Sequence, residues 1–585
     1  YYRVGGKFPL DLTPLKGLTL TGIVAPRYSF DKTKDHHKKY DVYRIDGVAT
    51  PGSGSATTNL SEGRNDNFSL TKQFYANYKL DINRHSIGLM AGYEDFTYKW
   101  EVLGASRTNY ELNNFPYLNI GPEDYQYNSG SAGHNAYRSV FGRVMYSWAD
   151  RYMLQVNVRT DGSSRFAKGH RWATFPSVSA GWIISEESWF KKNVVDYLKL
   201  RGSIGQLGNE RIGSAFPYQA KLIYGTALLP NATTGEVDVA KTAYQMDYAF
   251  NDITWETTTT YGIGVDLGLW NSRLRVSADY YHKKTTDMLM QVGFPSYFGY
   301  NAPQNNVADM TTKGWDLELS WSDKINDLRY GVSFNLSDYR SKMGYMSDRQ
   351  NIGDRHITEE GSYFNEWYGY KSLGIIVNED DMYDERNRPI VTLTDNDKPG
   401  DIRYLDVNGD GRINASDRIR LGNSLPEWQY GGTIWAEWKS FDFNLSFQGI
   451  GHQLKYWSWP VKPFEFSAYA APLNLIESHW SPTATDEQNA KAKYPRLTNG
   501  NGANVYADSD FYLFNGAYMR IKNITLGYSI PSNITKKFFI NKLRVYFSAN
   551  DLPAFSNYPK GYDPEWDRYN DLIMSSYVFG LNVSF

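Results

Sequence analysis

The chain closes on YVFGLNVSF, Tyr577–Phe585, and the reading of this stretch governs the rest. Tyr577, Phe579, Leu581, Val583 and Phe585 are apolar at every second position, while Gly580, Asn582 and Ser584 fill most of the gaps. Successive side chains of a strand point to opposite faces, so this segment has one apolar and one polar face. Two settings produce that pattern. One is the edge of a soluble antiparallel sandwich; the other is the last strand of a transmembrane β-barrel, with lipid outside and water within.

Segments far from the terminus keep the same rhythm. Trp315, Leu317, Leu319 and Trp321 alternate with Asp316, Glu318 and Ser320; Phe441, Phe443, Leu445 and Phe447 alternate with Asp442, Asn444 and Ser446. Leu274–Tyr280 and Leu543–Ala549 repeat it. The alternation predicts strands near 16–30, 66–79, 86–99, 137–147, 151–160, 172–184, 197–206 and 256–268. It predicts further strands near 273–283, 311–322, 327–338, 427–438, 441–450, 516–529, 542–550 and 577–585, with the tail of another in Tyr1–Phe8.

The connections separate the two settings. Short turns at Ala149-Asp150, Asn271-Ser272, Asp323–Asp327 and Lys439-Ser440, and medium ones at Ser185–Asp196 and Pro531–Asn541, fall on one side. The long gaps 31–65, 100–136, 207–255, 284–310, 339–426 and 451–515 fall on the other. A membrane barrel has short periplasmic turns and long outer loops. The fold class expected is therefore all-β, a transmembrane antiparallel β-barrel with about 16 strands in residues 1–585. Its longest loop is 339–426. The closing residues Tyr577, Phe579, Leu581, Val583 and Phe585 resemble the terminal signal by which outer-membrane proteins are recognised for insertion.

Composition agrees. The 585 residues carry a net charge of −2, so no basic field invites nucleic acid. Mean hydropathy is −0.56, and no run of 18 apolar residues exists to form a membrane helix. Yet 47 Tyr, 29 Phe and 17 Trp are enough for the aromatic girdles of a barrel. Cysteine is absent, which excludes disulfide scaffolds, zinc–thiolate sites and cysteine catalysis. The nine His are scattered, and GSSR at Gly162–Arg165 is not a nucleophile elbow. No enzyme activity and no organic cofactor are expected.

One loop carries metal chemistry in its spacing. Asp406, Asn408, Asp410, Asn414 and Asp417 stand at positions 1, 3, 5, 9 and 12 of a calcium-type loop, with the Arg412 carbonyl at 7 and Gly411 at the sharp turn. The departure is Asp417 where Glu is usual. The expectation is a structural Ca2+ clip within 339–426; the alternative is a polar turn facing water. Aromatic clusters in the long gaps are the candidate substrate contacts: Trp367 and Tyr368; Tyr456, Trp457 and Trp459; Tyr297 and Phe298. Flat rings stack on sugars or clamp peptides, and equally anchor loops to one another.

The stretches Gly142–Phe190, Leu198–Asn209 and Ile253–Leu289 resemble the SusC/RagA-type TonB-dependent transporters of Bacteroidota. Pro399–Ile413, Asn515–Pro531 and the closing strand continue the match, in order, over nearly the whole chain. The resemblance implies a barrel of about 22 strands with a plugged lumen, in the bacterial outer membrane and surrounded by its lipid. It also implies energy from TonB, a SusD-like lipoprotein lid, and import of oligosaccharide, or alternatively oligopeptide. Transporter–lipoprotein pairs that dimerise are a further expectation. The plug, the TonB-contacting segment and the first strands are expected to precede Tyr1, since the chain starts without Met or signal peptide. A passive porin and a calcium-stabilised surface adhesin are the competing classes.

Overall fold

A computed structural model describes residues 1–585 apart from 49, 51–54, 56, 113, 213–215, 231–236, 248, 292–296, 298, 302–303, 347–350, 354, 458–472, 499–500 and 567–572. Long antiparallel strands dominate. In chain order they begin with β1 (Tyr2–Gly5), β2 (Phe8–Leu15), β3 (Leu18–His37), β4 (Asn59–Ile82), β5 (His85–Thr108), β6 (Gln126–Trp148), β7 (Tyr152–Ser163) and β8 (Trp172–Ile183). There follow β9 (Val195–Asn209), β10 (Leu222–Pro230), β11 (Val237–Gln245), β12 (Glu256–Leu269), β13 (Leu274–Gln291), β14 (Gln304–Ile325) and β15 (Leu328–Met343). Short strands fill the next connection: β16 (Asn351–Ile352), β17 (His356–Thr358), β18 (Glu366–Gly369), β19 (Ser372–Ile375), β20 (Ile402–Tyr404) and β21 (Ile419–Gly422). The series ends with β22 (Glu427–Trp438), β23 (Phe441–His452), β24 (Leu454–Tyr456), β25 (Leu513–Asn515), β26 (Tyr518–Ile530), β27 (Lys542–Asn550), β28 (Phe555–Ser556) and β29 (Ser576–Ser584).

Every strand expected from alternation is present, and many run longer, β4 and β5 reaching 24 residues. A membrane crossing takes only about 9–11, so these hairpins continue well past an apolar layer. Two expectations are corrected. The Tyr1–Phe8 tail is two strands, β1 and β2, both paired to β3. The gap 207–255 holds the β10–β11 hairpin, whose polar and small residues hid its period.

The backbone contacts divide the chain into two compact units. The first comprises Tyr1–Gly181, Ser203–Thr259 and Thr286–Val307. Its strands β3 to β7 pair in succession, for example Tyr78↔Leu89 and Leu89↔Val144. One face of this sheet carries Phe74, Leu89, Val140, Val144 and Val158, between 42 and 56% exposed. A soluble sheet buries such a face; this one presents it outward, as a lipid-facing wall does. A buried apolar cluster lies instead where the connections meet the start of β8: Phe166, Phe175, Ile212, Ile253 and Trp255 pack together, and Trp255 Nε1 donates to Arg171 O at 3.0 Å.

The second unit comprises Trp182–Gly202, Thr260–Thr285 and Ala308–Phe585. Here the two-face logic is visible in register. Ile434, Leu445, Ile524, Ala549 and Tyr577 are successive partners across β22, β23, β26, β27 and β29. One residue away, Thr433, Ser446, Asn523, Asn550 and Ser576 are partners on the opposite face, with Asn523 Nδ2 donating to Asn550 Oδ1 at 2.7 Å. Near the turn Lys439-Ser440 the apolar face ends in Trp438, Phe441 and Tyr528, an aromatic row suited to an interface. Lys439 makes that tight turn at φ +53°, and Asn326 makes the β14–β15 turn at φ +51°.

Candidate functional site

The long connections of the second unit fold into a packed layer rather than trailing as open loops. Its apolar centre is Ile402, Tyr404, Ile413, Leu475, Tyr494, Val505 and Tyr512. A connected set of buried polar groups runs through it. Arg496 reaches Asp401, itself wholly buried, through Nε and Nη2 at 2.9 and 3.2 Å. Asn501 Nδ2 donates to Asp401 and Asp397 at 2.9 Å each. Asn504 donates to Asp397 and brackets Ile402, accepting from its N–H and donating to its carbonyl. Burial pushes the Tyr404 and Tyr512 phenols well above the ordinary tyrosine range, so both stay neutral donors. Such a network fixes a single loop arrangement, because each unmet partner would be costly.

The aromatic residues singled out by sequence are part of this layer. Trp367, on β18, stacks on His356 at 4.2 Å between centroids and donates its Nε1 to Leu454 O at 2.9 Å. Tyr456, on β24, lies 5.9 Å from Trp367 and donates its hydroxyl to Asp508 at 3.1 Å. Arg355 lies over the Tyr456 ring at 4.3 Å and donates Nε to the same Asp508 oxygen at 2.6 Å. Burial acts against the Arg355 charge, but Asp508 outweighs it and leaves the guanidinium more firmly protonated than usual. Tyr368 carries the Arg418 guanidinium on its face at 4.7 Å. Trp457 is buried, with Tyr562 edge-on at 5.0 Å. Tyr297 belongs to the first unit and is 82% exposed. Trp459 and Phe298 lie outside the described residues. Thus Trp367 and Tyr456 form one half-buried pair, while Tyr368 packs on Arg418 and Trp457 on Tyr562 and Trp566.

The calcium-type loop is closed by its own side chains. Asp406 accepts from the amides of Gly409 and Gly411 at 2.8 and 2.9 Å, Asn408 from Asp410, and Asp410 from Arg412, both at 2.9 Å. Asn414 accepts from Ser416 at 2.9 Å. Asp417 is wholly buried and accepts from Val407 and Asn414 at 2.9 and 2.8 Å. Burial alone would raise the Asp417 carboxyl, but the amides of Asn414, Val407 and Asn408 outweigh it and hold it below the usual range. Ile413 points into the apolar centre, and Gly411 turns at φ +81°. Oxygen donors stand at every expected side-chain position, and each has lone pairs beyond those the amides take. Among the described residues, no group of three or more His, Asp or Glu side chains converges as a metal centre.

Sequence reasoning passed over the polar strand wall of the second unit. A cavity of about 1050 Å³ opens there against β12 to β15, β22, β23 and β26. Ser320, Ser333, Asn335, Thr433, Ser446 and Gln448 line it, together with the charged Asp266, Arg275, Glu318 and Lys522. Arg201 bridges Asp266 through two 2.9 Å bonds and Asp279 at 3.0 Å, which ties the wall across strands. The signal was present in the sequence as the polar half of each alternation.

An antiparallel sheet with an outward apolar face, a polar opposite face and connections sorted by length defines an outer-membrane β-barrel. The family profile described as TonB dependent receptor-like, beta-barrel matches residues 9–552, and the chain belongs to that family, as a SusC/RagA-type member of the outer membrane. It is 28% identical over 539 residues to TonB-dependent receptor P3 of Formosa agariphila, covering 89% of this chain and 51% of that protein. With TonB-dependent receptor SusC of Bacteroides thetaiotaomicron it shares 30% over 457 residues, covering 74% of this chain and 42% of that protein. The solved structure of the RagAB peptide transporter matches the fold with a TM-score of 0.81 at 23% identity, over all of this chain and 62% of that one. The chain thus spans about half the length of the curated relatives it matches.

Proposed function

We propose that this chain is the barrel portion of an outer-membrane importer for oligosaccharides. The whole transporter would be energised by TonB and lidded by a SusD-like lipoprotein. The observation that carries the cargo class is the cavity wall, where the hydroxyl and amide groups of Ser320, Ser333, Asn335, Thr433, Ser446 and Gln448 stand beside the charged Asp266, Arg275, Glu318 and Lys522. Hydroxyl, amide and charged groups pair with polyhydroxyl ligands. The half-buried pair Trp367 and Tyr456, held by His356, Arg355 and Asp508, supports the same reading as a rigid aromatic surface that loses little entropy on binding.

Calorimetry and liposome uptake with the full-length transporter and its lipoprotein, against glycan and peptide panels, test this directly. Glycan-selective binding is expected. Peptide-only binding would replace the cargo class, and steady ion conductance in planar bilayers would replace import with a passive pore.

We further propose that Asp406, Asn408, Asp410, Asn414, Asp417 and the Arg412 carbonyl hold Ca2+ when it is available, stapling this loop to the apolar centre through Ile413. Calcium should raise the protease resistance of this loop in the full-length protein, and a chelator should reverse that. No change with either would leave only a self-capped polar turn.

A further inference from the structure

The lipid-facing wall of the second unit runs directly into one of its medium turns. Ile530 closes the apolar face of β26 and Leu543 opens that of β27, and the two are register partners. Between them the chain makes one α-helical turn, Ser532–Thr535, and one turn of 3-10 helix, Lys536–Phe538. Thr535 is buried beneath, while Ile534, Lys536, Lys537, Phe538 and Phe539 are exposed.

Phe539 is strained where it stands. It ends the helical turn at φ +59°, its N–H donating to Lys536 O and the Ile540 N–H to Thr535 O, both at 3.2 Å. That pair of bonds is a left-handed helix cap, where glycine is the usual residue and a bulky side chain is disfavoured. The ring is 91% exposed, so packing on the protein does little to offset the strain. Phe538 beside it is 68% and Ile534 48% exposed.

The charge at this turn has one sign. From Asn523 to Asn550 the chain carries Lys536, Lys537, Lys542 and Arg544 and no acidic residue. On the neighbouring strands Asp442 is already held by Arg544, whose Nε donates to it at 2.9 Å, and Glu437 by Arg329 at 3.2 Å. Setting the terminal carboxylate of Phe585 against Lys542, the partner of Ser584, still leaves Lys536 and Lys537 over. A short helical segment that joins apolar rings to lysines has the composition of an interfacial anchor, and anionic headgroups strengthen its hold. The turn belongs to the side of the short links, so the surface it meets is the periplasmic leaflet.

We propose that Pro531–Asn541 anchors the barrel in the periplasmic leaflet and selects anionic phospholipid there. Ile534, Phe538 and Phe539 enter the acyl boundary, and Lys536 and Lys537 meet the phosphates of phosphatidylglycerol-type headgroups. The aromatic row Trp438, Phe441 and Tyr528 marks the level of the interface on the strands; the turn adds headgroup selection beyond it. The reading rests on the outer-membrane placement and not on the cargo.

The test uses full-length protein with photo-reactive benzoyl-phenylalanine in place of Phe538, in nanodiscs of phosphatidylethanolamine with a minor share of phosphatidylglycerol. Heat-modifiable gel migration confirms that each variant folds. Mass spectrometry of the adducts should show phosphatidylglycerol enriched over its share of the bilayer. Lys536→Gln/Lys537→Gln should lower that enrichment by about five-fold per lysine. Phe539→Gly removes the backbone strain, so the temperature at which compact migration is lost should not fall, yet the yield of lipid adducts should drop several-fold. No enrichment in the parent, unchanged enrichment in the lysine variant, or unchanged lipid yield in Phe539→Gly overturns the proposal. A fall of that temperature together with the yield would make the ring a packing residue and overturns it as well. So does an adduct, in intact cells, to a periplasmic protein in place of lipid, which would assign the face to that protein.

Discussion

Arg520, at the start of β26, is 1% exposed and closes on Asp563 of the last long connection at 2.5 Å. Glu565 takes its Nε at 3.1 Å, so a strand and a distant loop share one buried cation. Arg520→Ala leaves two carboxylates facing each other in a partly dry site. A loss of about 3–5 kcal/mol is expected, against a smaller one for Arg520→Met with Asp563→Asn. The temperature at which the full-length barrel loses its compact gel migration reads both.

Gly369 ends β18 against the backbone of the neighbouring connection. A methyl group there would sit 2.3 Å from the Asp508 carbonyl oxygen, where no flexible side chain can give way. Tyr370 N–H donates to that same oxygen at 2.8 Å. Gly369→Ala should part the two loop segments at a cost of about 1–3 kcal/mol or more. Limited proteolysis should then cut within 344–426 at protease levels that spare the wild type.

Asp417 gives the loop layer an acid limit. Its folded carboxyl lies below the ordinary value of about 3.9. Its contribution is therefore complete above that ordinary value and is lost as pH falls through the depressed folded one. Amide protection at Val407 and Asn414, corrected for intrinsic exchange, should hold at neutral pH and collapse in acid. In Asp417→Asn it should be weak at every pH.

The closing strand separates its two faces by one residue. Leu581 is 65% exposed and partners Val545 on the apolar face, whereas Asn582 partners Arg544 on the other. Leu581→Arg should cost about 2–4 kcal/mol near the bilayer midplane and lower the folded protein in the outer-membrane fraction. Asn582→Arg should be tolerated far better. Equal effects of the two would remove the assignment of lipid to the Leu581 side.

The strands were legible because two solvents impose period two on any wall between them, and Trp315–Trp321 and Phe441–Phe447 show it without help from packing. Turn positions were legible for a related reason: short or medium links such as Lys439-Ser440 and Pro531–Asn541 join strands on one side, and long ones on the other. The interior of the long connections was not. Nothing in the spacing of Trp367, Tyr456 and Asp508 shows that Arg355 joins them, because those contacts arise from folding across 339–515. The β10–β11 hairpin was hidden for another reason. Its alternate positions mix Gly225, Thr226, Ala227 and Lys241 with Leu and Val on both faces, so no single face stands out.

The barrel's orientation is set by which connections face outward, and the absence of cysteine from this chain makes that directly measurable. Single cysteines would be placed at Glu111 and Asn387 in long connections, and at Arg84, Asp150 and Ser440 in short turns, for labelling of intact cells with an impermeant maleimide. Labelling of the first group in intact cells, and of the second only after lysis, is the predicted result. Labelling of both groups in intact cells, or of neither, contradicts the barrel as described.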